Sequence, residues 1–281
     1  MNLPYLAHFG LKEEPFSTVP SPRYLFLTPM HATALTKSQF IVEARKGLTV
    51  IFGEPGMGKS TLARLLHQKF LDAGFVSVLL TNPHYPTPNA LLRTIIQEFQ
   101  LPRTARAYKD NLDLLKAHLY DQAITQGRTV VLILDEAQTL RFPSLELLRQ
   151  LINYETNEQK LVQVLIFAQE EFRAQIRRHA YFRDRIASFA HLRPLRFRET
   201  RALINFRVRQ SHRRPEEAPE LFTLPALWLI HRHTAGYPRR IIMLCSQLLL
   251  AFIVRQSGAG PDVPRKIGAS LVLSCVRRVF H

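Results

Sequence analysis

A glycine-rich run that ends in a lysine and a serine is the part of this sequence best suited to chemistry. Its glycines allow backbone N–H groups to turn inward around a phosphate chain, and a helix starting behind it would favour negative charge. In the spacing G-x-x-x-x-G-K-S, the lysine reaches the terminal phosphates and the serine hydroxyl binds Mg²⁺. The run therefore predicts a binding loop for ATP and Mg²⁺. Its residues are Gly53, Glu54, Pro55, Gly56, Met57, Gly58, Lys59 and Ser60, followed by Thr61.

The flanks of this loop have the pattern that a phosphate-binding loop requires. Residues 47–52 are apolar and rich in β-forming side chains, and residues 61–66 have helical spacing. A strand before the loop and a helix after it distinguish the motif from a chance glycine-rich turn. We therefore expect the loop to join a buried strand to a helix that begins at the phosphate site.

Two adjacent carboxylates, Asp135 and Glu136, follow the apolar run 128–134. Alone, an acidic pair after a strand is also common at surface turns. Together with the loop upstream it predicts catalysis, in which Asp135 holds Mg²⁺ through its water shell. Glu136 would orient and polarise the water that attacks the γ-phosphate. The sequence thus predicts a Mg²⁺-dependent ATPase.

Strands alternate with helices through the first two thirds of the chain, which predicts an α/β fold with a parallel sheet. The predicted strands are 47–52, 75–81, 128–134 and 161–168, with 191–196 as a candidate fifth. After residue 199 only helical segments follow. We therefore expect an irregular segment over 1–29 that packs on the core, an ATPase core over 30–197, and a helical lid with a basic tail over 198–281.

Composition limits the class of protein. Hydrophobic residues make up 46% of the 281-residue chain, an ordinary value for a globular protein. No apolar run reaches the length of about 18 residues that a membrane span needs, and the start of the chain has no signal-peptide pattern. The two cysteines lie in apolar surroundings and are predicted to be packed thiols. These features predict a cytoplasmic protein without a membrane partner.

The positive charge is concentrated near the end of the sequence. Residues 1–172 hold 17 Lys and Arg against 16 Asp and Glu, whereas residues 173–281 hold 21 against 6, so +15 of the net +16 lies there. Such asymmetry predicts a polyanionic partner, most simply nucleic acid. A solvated basic face, or one that binds an acidic protein, is the alternative.

Taken together, the phosphate loop, the run Asp135-Glu136-Ala137-Gln138 and the helical lid resemble AAA+ ATPases. The narrower resemblance is to the ExeA-type branch, which includes secretion ATPases and transposition regulators of the TnsC, TniB and MuB kind. It extends from about residue 8 to about residue 255. The stretches that carry it are 9–16, 148–156, 161–172 and 236–241.

The resemblance implies roles for further residues. Gln169 matches the sensor of the γ-phosphate, although this chain has Ala168 where the family usually has glycine. Arg185 matches the arginine finger that reaches the ATP of a neighbouring subunit, with Arg183 as a competing candidate. Arg239 matches the lid arginine that contacts the nucleotide within its own subunit. A finger acting on a neighbour implies head-to-tail assembly into a ring or a helical filament.

Two functions from different classes are compatible with this resemblance. The first is an ATPase that oligomerises on double-stranded DNA and, as a transposition regulator, recruits a transposase together with a targeting protein. The second is an assembly ATPase for a secretion apparatus, with no nucleic acid partner. Secretion members continue into a membrane span and an envelope-binding domain, neither of which precedes His281, so we expect the first function. A nucleotide-switched scaffold that binds an acidic protein is a third reading.

The expected DNA contacts lie in the loop after the second predicted strand. Basic and polar residues of the core face the DNA in the transposition relatives, and the matching candidates here are Arg103, Arg106 and Lys109. A second basic cluster lies in the predicted lid, where it would contact DNA or the acidic tail of a partner. It comprises Arg207, Arg209, Arg213 and Arg214. We expect backbone contacts with little base preference.

Overall fold

The structure, a computed structural model, describes residues 4–18, 22–102, 106–256 and 266–279. Among these residues no helix is both long and apolar enough to cross a membrane. In chain order the α-helices and strands are α1 Pro4–His8, α2 Pro29–Glu43, β1 Leu48–Gly53, α3 Lys59–Asp72, β2 Val76–Thr81, α4 Pro88–Glu98, α5 Tyr108–Tyr120, β3 Val130–Asp135, α6 Phe142–Ile152, β4 Gln163–Ala168, α7 Glu171–Arg178, α8 Ala180–Arg183, β5 Ile186–Leu192, α9 Phe197–Ser211, α10 Leu224–Thr234, α11 Pro238–Gln256 and α12 Ala269–Val279.

Five parallel strands form one sheet in the order β2-β3-β4-β1-β5. Val50 of β1 is paired with Ile166 of β4, and Val164 of β4 is paired with Leu132 of β3. Every residue of β1, β3 and β4 is buried. Continuous apolar strands are typical of a parallel sheet with helices packed on it. The predicted fold class, a P-loop α/β sheet flanked by helices, is confirmed.

The fifth strand begins earlier than the sequence pattern indicated. It was expected at residues 191–196, and the structure has it at Ile186–Leu192. As an edge strand, β5 pairs only with β1 and alternates between partly buried and exposed side chains, with Phe189 46% exposed. That alternation lacks the continuous apolar run that revealed the other strands. Pro194, which has no N–H, falls inside the expected range and is unsuited to a strand interior.

The chain forms two compact units. The sheet unit comprises Pro29–Pro55 and Lys59–Leu192, and the helical unit comprises Met1–Thr28, Gly56–Gly58 and Arg193–His281. Each unit has its own hydrophobic core. The sequence placed the boundary at residue 197, a few residues after the division in the structure.

The amino-terminal segment belongs to the helical unit, which corrects the expectation that residues 1–29 pack on the ATPase core. Tyr5, Phe9, Leu11 and Phe16 lie in the hydrophobic core of the helical unit and are at most 6% exposed. The segment is also less irregular than expected, because it contains the short helix α1. The aromatic residues of the segment indicated that it is buried, but not whether it packs in the core of the sheet unit or in that of the helical unit.

A buried arginine joins this segment to α9 within the helical unit. Arg207 is only 6% exposed, and its Nη1 donates to the carbonyl oxygens of Pro15 and Ser17, each at 3.0 Å. The guanidinium also lies over the ring of Tyr24, with its carbon 5.1 Å from the ring centroid. Burial lowers the pKa of Arg207 to about 10, so it remains charged at neutral pH. Its expected place in an exposed basic cluster, which would contact DNA or the acidic tail of a partner, is therefore wrong.

We expect Arg207→Ala to lower the free energy of unfolding by about 2–4 kcal/mol, because two carbonyl oxygens lose a charged donor and a cavity remains. Urea denaturation followed by circular dichroism measures the change. Arg209→Ala is the matched control, since Arg209 is exposed on the same helix. Its expected effect is within about 0.5 kcal/mol. Equal losses in the two variants would contradict a stabilising role for Arg207.

Candidate active site

The phosphate loop follows β1 directly, and α3 begins at its lysine. Lys59 is 3% exposed, and its Nζ donates to the carbonyl oxygens of Gly53 at 2.8 Å and Glu54 at 3.2 Å. Burial lowers the pKa of Lys59, against the opposing effect of the carboxylates of Glu136 and Asp135. The first turn of a helix has backbone N–H groups without helical partners. The start of α3 therefore offers these donors and an ammonium group at one place, which suits a phosphate chain.

Asp135 ends β3 and is 3% exposed. Burial raises the pKa of its carboxyl, and the hydrogen bond from Ser60, the second residue of α3, acts in the opposite direction. A carboxylate and a hydroxyl are oxygen ligands, the type that Mg²⁺ prefers, and Mg²⁺ commonly uses few protein ligands beside phosphate and water. The pair therefore fits the predicted magnesium site.

Glu136 is held by two glutamine side chains of the same unit. Its Oε2 accepts hydrogen bonds from Nε2 of Gln169, at 3.1 Å, and from Nε2 of Gln138, at 2.5 Å. The Oε1 atom of Gln138 accepts the backbone N–H of Gln169 at 3.1 Å. The side chains of the three residues and the backbone N–H of Gln169 thus form a closed ring between the ends of β3 and β4. The sequence assigned roles to Glu136 and Gln169 but none to Gln138, although it lies within the quoted run Asp135–Gln138.

The backbone at Glu136 is left-handed, with φ 58° and ψ 37°. Such a conformation is uncommon for a residue other than glycine and persists where neighbouring bonds determine it. Here the N–H of Glu136 donates to Oδ1 of Asp135 at 3.0 Å, and its carbonyl oxygen accepts from the N–H and the hydroxyl of Thr139 at 3.2 and 3.0 Å. These bonds fix the direction in which the Glu136 side chain leaves the backbone.

The two candidate finger arginines lie at the start of β5 in the sheet unit. Arg183 ends α8 and pairs with Asp184, with Nε 3.3 Å from Oδ1. Arg185 immediately precedes β5 and is exposed. The pKa of Glu155 is lowered mainly by its hydrogen bond with Lys160, and Arg185 contributes to that shift. Both arginines are therefore at the surface, where a neighbouring molecule would reach them.

The predicted lid arginine lies in the first turn of α11 in the helical unit. The N–H of Arg239 donates to the carbonyl oxygen of Gly56 at 3.3 Å, and Gly56 groups with the same unit. The turn before α11 requires glycine at position 236, where φ is +75° and a Cβ would lie 2.2 Å from the carbonyl oxygen of Leu195. This close approach explains the glycine that begins the stretch 236–241, one of those that carry the family resemblance.

The structure brings together five of the predicted site residues in the sheet unit, namely Lys59, Ser60, Asp135, Glu136 and Gln169. Thr61 follows in the first turn of α3, and Met57 at the tip of the loop is buried. The expected DNA contacts lie elsewhere: Arg106 and Lys109 are exposed before and within the first turn of α5. Arg103 lies outside the described residues.

Comparisons with known proteins agree with this architecture. The sequence model of the family described as "AAA domain" matches residues 42–176. General secretion pathway protein A of Aeromonas hydrophila is 36% identical to this chain over 256 residues. That match covers 90% of this chain and 46% of the relative, so the chain spans about half the length of the curated protein that it matches.

Two solved structures resemble the chain in fold. Cdc6p from Pyrobaculum aerophilum gives a TM-score of 0.67 at 16% identity, covering 96% of this chain and 72% of that protein. The ORC2 protein of Aeropyrum pernix gives 0.64 at 18% identity, covering 95% and 72%. At these identities the likeness shows the fold alone. The phosphate loop, the acidic pair at the end of β3 and the match over residues 42–176 together show that the chain contains an AAA domain with a P-loop fold.

Proposed function

We propose that the chain hydrolyses ATP with a division of work among its own residues. Lys59, the loop glycines and the N–H groups at the start of α3 bind the phosphates. Ser60 and Asp135 hold Mg²⁺, which when bound would neutralise phosphate charge. Glu136 orients a water molecule and accepts its proton, while the amide of Gln169 contacts the γ-phosphate. The observation that supports this proposal best is the position of the Glu136 carboxylate. Its backbone conformation and its two amide partners fix the carboxylate at the end of β3.

We propose further that the ATP site is completed by a second copy of the chain. A guanidinium stabilises negative charge that spreads over phosphate oxygens during phosphoryl transfer. Arg185 is the preferred finger over Arg183, because the Arg183 guanidinium already pairs with Asp184. A finger in trans gives a head-to-tail interface, so assembly depends on whether ATP is present. Arg239 is proposed to contact the nucleotide of its own chain.

An assembly ATPase of a secretion apparatus is now the leading candidate for the cellular role. The observation that carries it is the 36% identity to a general secretion pathway protein over 90% of this chain. The match extends well beyond residues 42–176, the range of the AAA domain itself. This reverses the order in which the sequence placed the two functions. Cytoplasmic location remains part of the proposal.

Duplex DNA binding remains the second candidate because of one observation, the charge of +15 in residues 173–281. Exposed basic residues that suit a phosphate backbone include Arg106, Lys109 and Arg213. Arg207 adds nothing to such a surface, since it is buried. A role in transposition, with a transposase and a targeting protein, is a finer form of this candidate and rests on the sequence resemblance alone.

Glu136→Gln keeps the shape of the side chain but cannot accept a proton from water. We expect ATP turnover to fall by at least about 100-fold while ATP binding is retained. ATP-bound oligomers should then accumulate, as measured by light scattering after size-exclusion chromatography. Glu158→Gln, at an exposed position of the same unit, is the control. Turnover at the parental rate in the Glu136 variant would refute the role of this carboxylate.

Asp135→Asn tests whether this carboxyl is retained for binding at the expense of stability. Burial raises its pKa, so ionisation of Asp135 opposes folding above the folded-state pKa. We expect the amide to abolish Mg²⁺-dependent hydrolysis and to raise the nucleotide-free Tm at about pH 7.5 by about 2–4 °C, the shift given by about 1 kcal/mol.

The gain in Tm should vanish as the pH falls below the unfolded-state pKa of about 3.9, where the carboxyl is neutral in both states. Differential scanning calorimetry over this pH range measures it. Asp113→Asn, at an exposed position on α5, should leave the Tm unchanged. A lower Tm for the Asp135 variant at neutral pH would show that ionised Asp135 supports the fold.

Self-assembly and DNA binding separate the two candidate roles. For the secretion candidate we expect a non-hydrolysable ATP analogue to drive oligomerisation without DNA. Fluorescence polarisation with a labelled duplex, between about 50 and about 200 mM salt, should then show no dependence of DNA affinity on nucleotide.

Nucleotide-dependent affinity would instead favour the DNA candidate. Loss of this nucleotide-dependent affinity in the double variant Arg106→Ala, Lys109→Ala would locate the DNA contact at the start of α5. The control removes the same charge from Lys37 and Lys69, which are exposed elsewhere in the sheet unit.

A further inference from the structure

The ring of Glu136, Gln138 and Gln169 contains one member to which ATP hydrolysis gives no role. Gln138 donates to the Oε2 atom of Glu136 and accepts the backbone N–H of Gln169. It lies in the short 3-10 helix Ala137–Thr139 that follows β3. All three residues are partly buried in the sheet unit. Gln138 therefore links the carboxylate of Glu136, at the end of β3, to the residue that follows β4 through two hydrogen bonds.

The orientation of the Gln138 amide is determined by its two partners. A backbone N–H can only donate, so the atom of Gln138 that faces Gln169 must be the oxygen. The NH₂ group then necessarily faces Glu136, where it donates to Oε2. A reversed amide would place two donors against each other at one end and two acceptors at the other. The contact is thus specific for a side chain that donates on one side and accepts on the other.

We propose that Gln138 is a positioning residue for ATP hydrolysis, which holds the Glu136 carboxylate in place while Gln169 exchanges its partner. This inference rests on the proposed roles of Glu136 and Gln169. In the present structure both amides donate to Oε2 of Glu136, so that oxygen is fully engaged. When the amide of Gln169 turns to the γ-phosphate, one donor leaves and Oε2 becomes available to water. The Gln138 amide remains bonded to Oε2 and keeps the carboxylate in the same orientation.

Gln138 also couples the position of Gln169 to that of the Glu136 carboxylate. Because Gln138 also binds the backbone N–H of Gln169, a movement of the chain after β4 shifts the group that holds Glu136. Positioning groups of this kind affect the rate of the chemical step more than substrate affinity, because they act on the geometry of the reacting atoms. We therefore expect loss of Gln138 to lower kcat with little change in KM.

Two variants of full-length protein test the proposal. Gln138→Leu removes both the donor and the acceptor at similar size, and we expect kcat for ATP to fall about tenfold with KM within about twofold of the parent. Gln138→Glu keeps an acceptor for the N–H of Gln169 but places a second carboxylate against Glu136. We expect a larger loss of kcat at about pH 8, where both carboxyls are ionised.

The pH profile of Gln138→Glu distinguishes positioning from a structural role. Like charges in contact raise the pKa of one carboxyl, and a protonated carboxyl can donate to Oε2 of Glu136. The rate of this variant, relative to the parent, should therefore rise as the pH falls from about 8 to about 6. Gln126→Glu is the matched control, since Gln126 also donates to a carboxylate, that of Asp121, at 2.7 Å. Its relative rate should not change with pH.

The outcomes separate this inference from the proposed function. If Glu136→Gln is inactive while Gln138→Leu keeps kcat within twofold of the parent, the positioning role is wrong and the role of Glu136 stands. If Glu136→Gln keeps the parental rate, both fail. The inference would also be overturned if both Gln138 variants lost nucleotide affinity and Tm to the same extent, and if kcat of Gln138→Glu did not recover at low pH. The amide would then only support the fold.

Discussion

The parallel arrangement of β3, β4 and β1 is the constraint on which the active site depends. These strands are neighbours in the sheet, and parallel strands end at the same edge. The chain therefore places Asp135 at the end of one strand, Gln169 just after the next, and the phosphate loop after the third. The order of the strands in the sheet brings these three positions together. The hydrophobic pattern that buries the strands is what makes the chemistry possible.

Burial at this edge gives the site its electrostatic character. The ammonium of Lys59 and the carboxyl of Asp135 are each 3% exposed. Burial lowers the pKa of Lys59 and raises the pKa of Asp135, so in both cases it favours the neutral form. A charge held in such surroundings is poorly solvated and gains much from an opposite charge. The phosphate chain and Mg²⁺ would supply those charges. The groups that destabilise the nucleotide-free fold are therefore the groups that are best prepared to bind.

The sequence predicted the parts of the fold that repeat a strong local pattern, and missed those that depend on tertiary partners. The strands through β4 and the helix after the phosphate loop follow from apolar runs and from glycine spacing. The edge strand β5 did not, because only one of its faces is partly buried. Arg207 was expected at the surface since arginines usually are. Its burial depends on the carbonyl oxygens of Pro15 and Ser17, nearly 200 residues away in the chain.

The same distinction applies to the site. Lys59, Ser60, Asp135 and Glu136 were identified because their types and spacing reflect the chemistry of phosphate and metal binding. Gln138 was not identified, because a glutamine has no such sequence signature. Its role follows only from its hydrogen bonds with Glu136 and Gln169 in the structure. The left-handed backbone of Glu136 was equally invisible, since nothing but its hydrogen bonds to Asp135 and Thr139 determines it.

The discontinuity of the helical unit has a consequence for how the protein is made. Residues 4–18 share a hydrophobic core with helices that begin at residue 197, so their aromatic side chains have no core of their own to enter when they leave the ribosome. The sheet unit is complete by Leu192 and can therefore fold during synthesis, before the later helices of the other unit have been made. The early segment must wait, exposed, until α9, α10 and α11 have been translated. Chaperone binding to nascent chains would therefore be concentrated on Tyr5, Phe9 and Phe16.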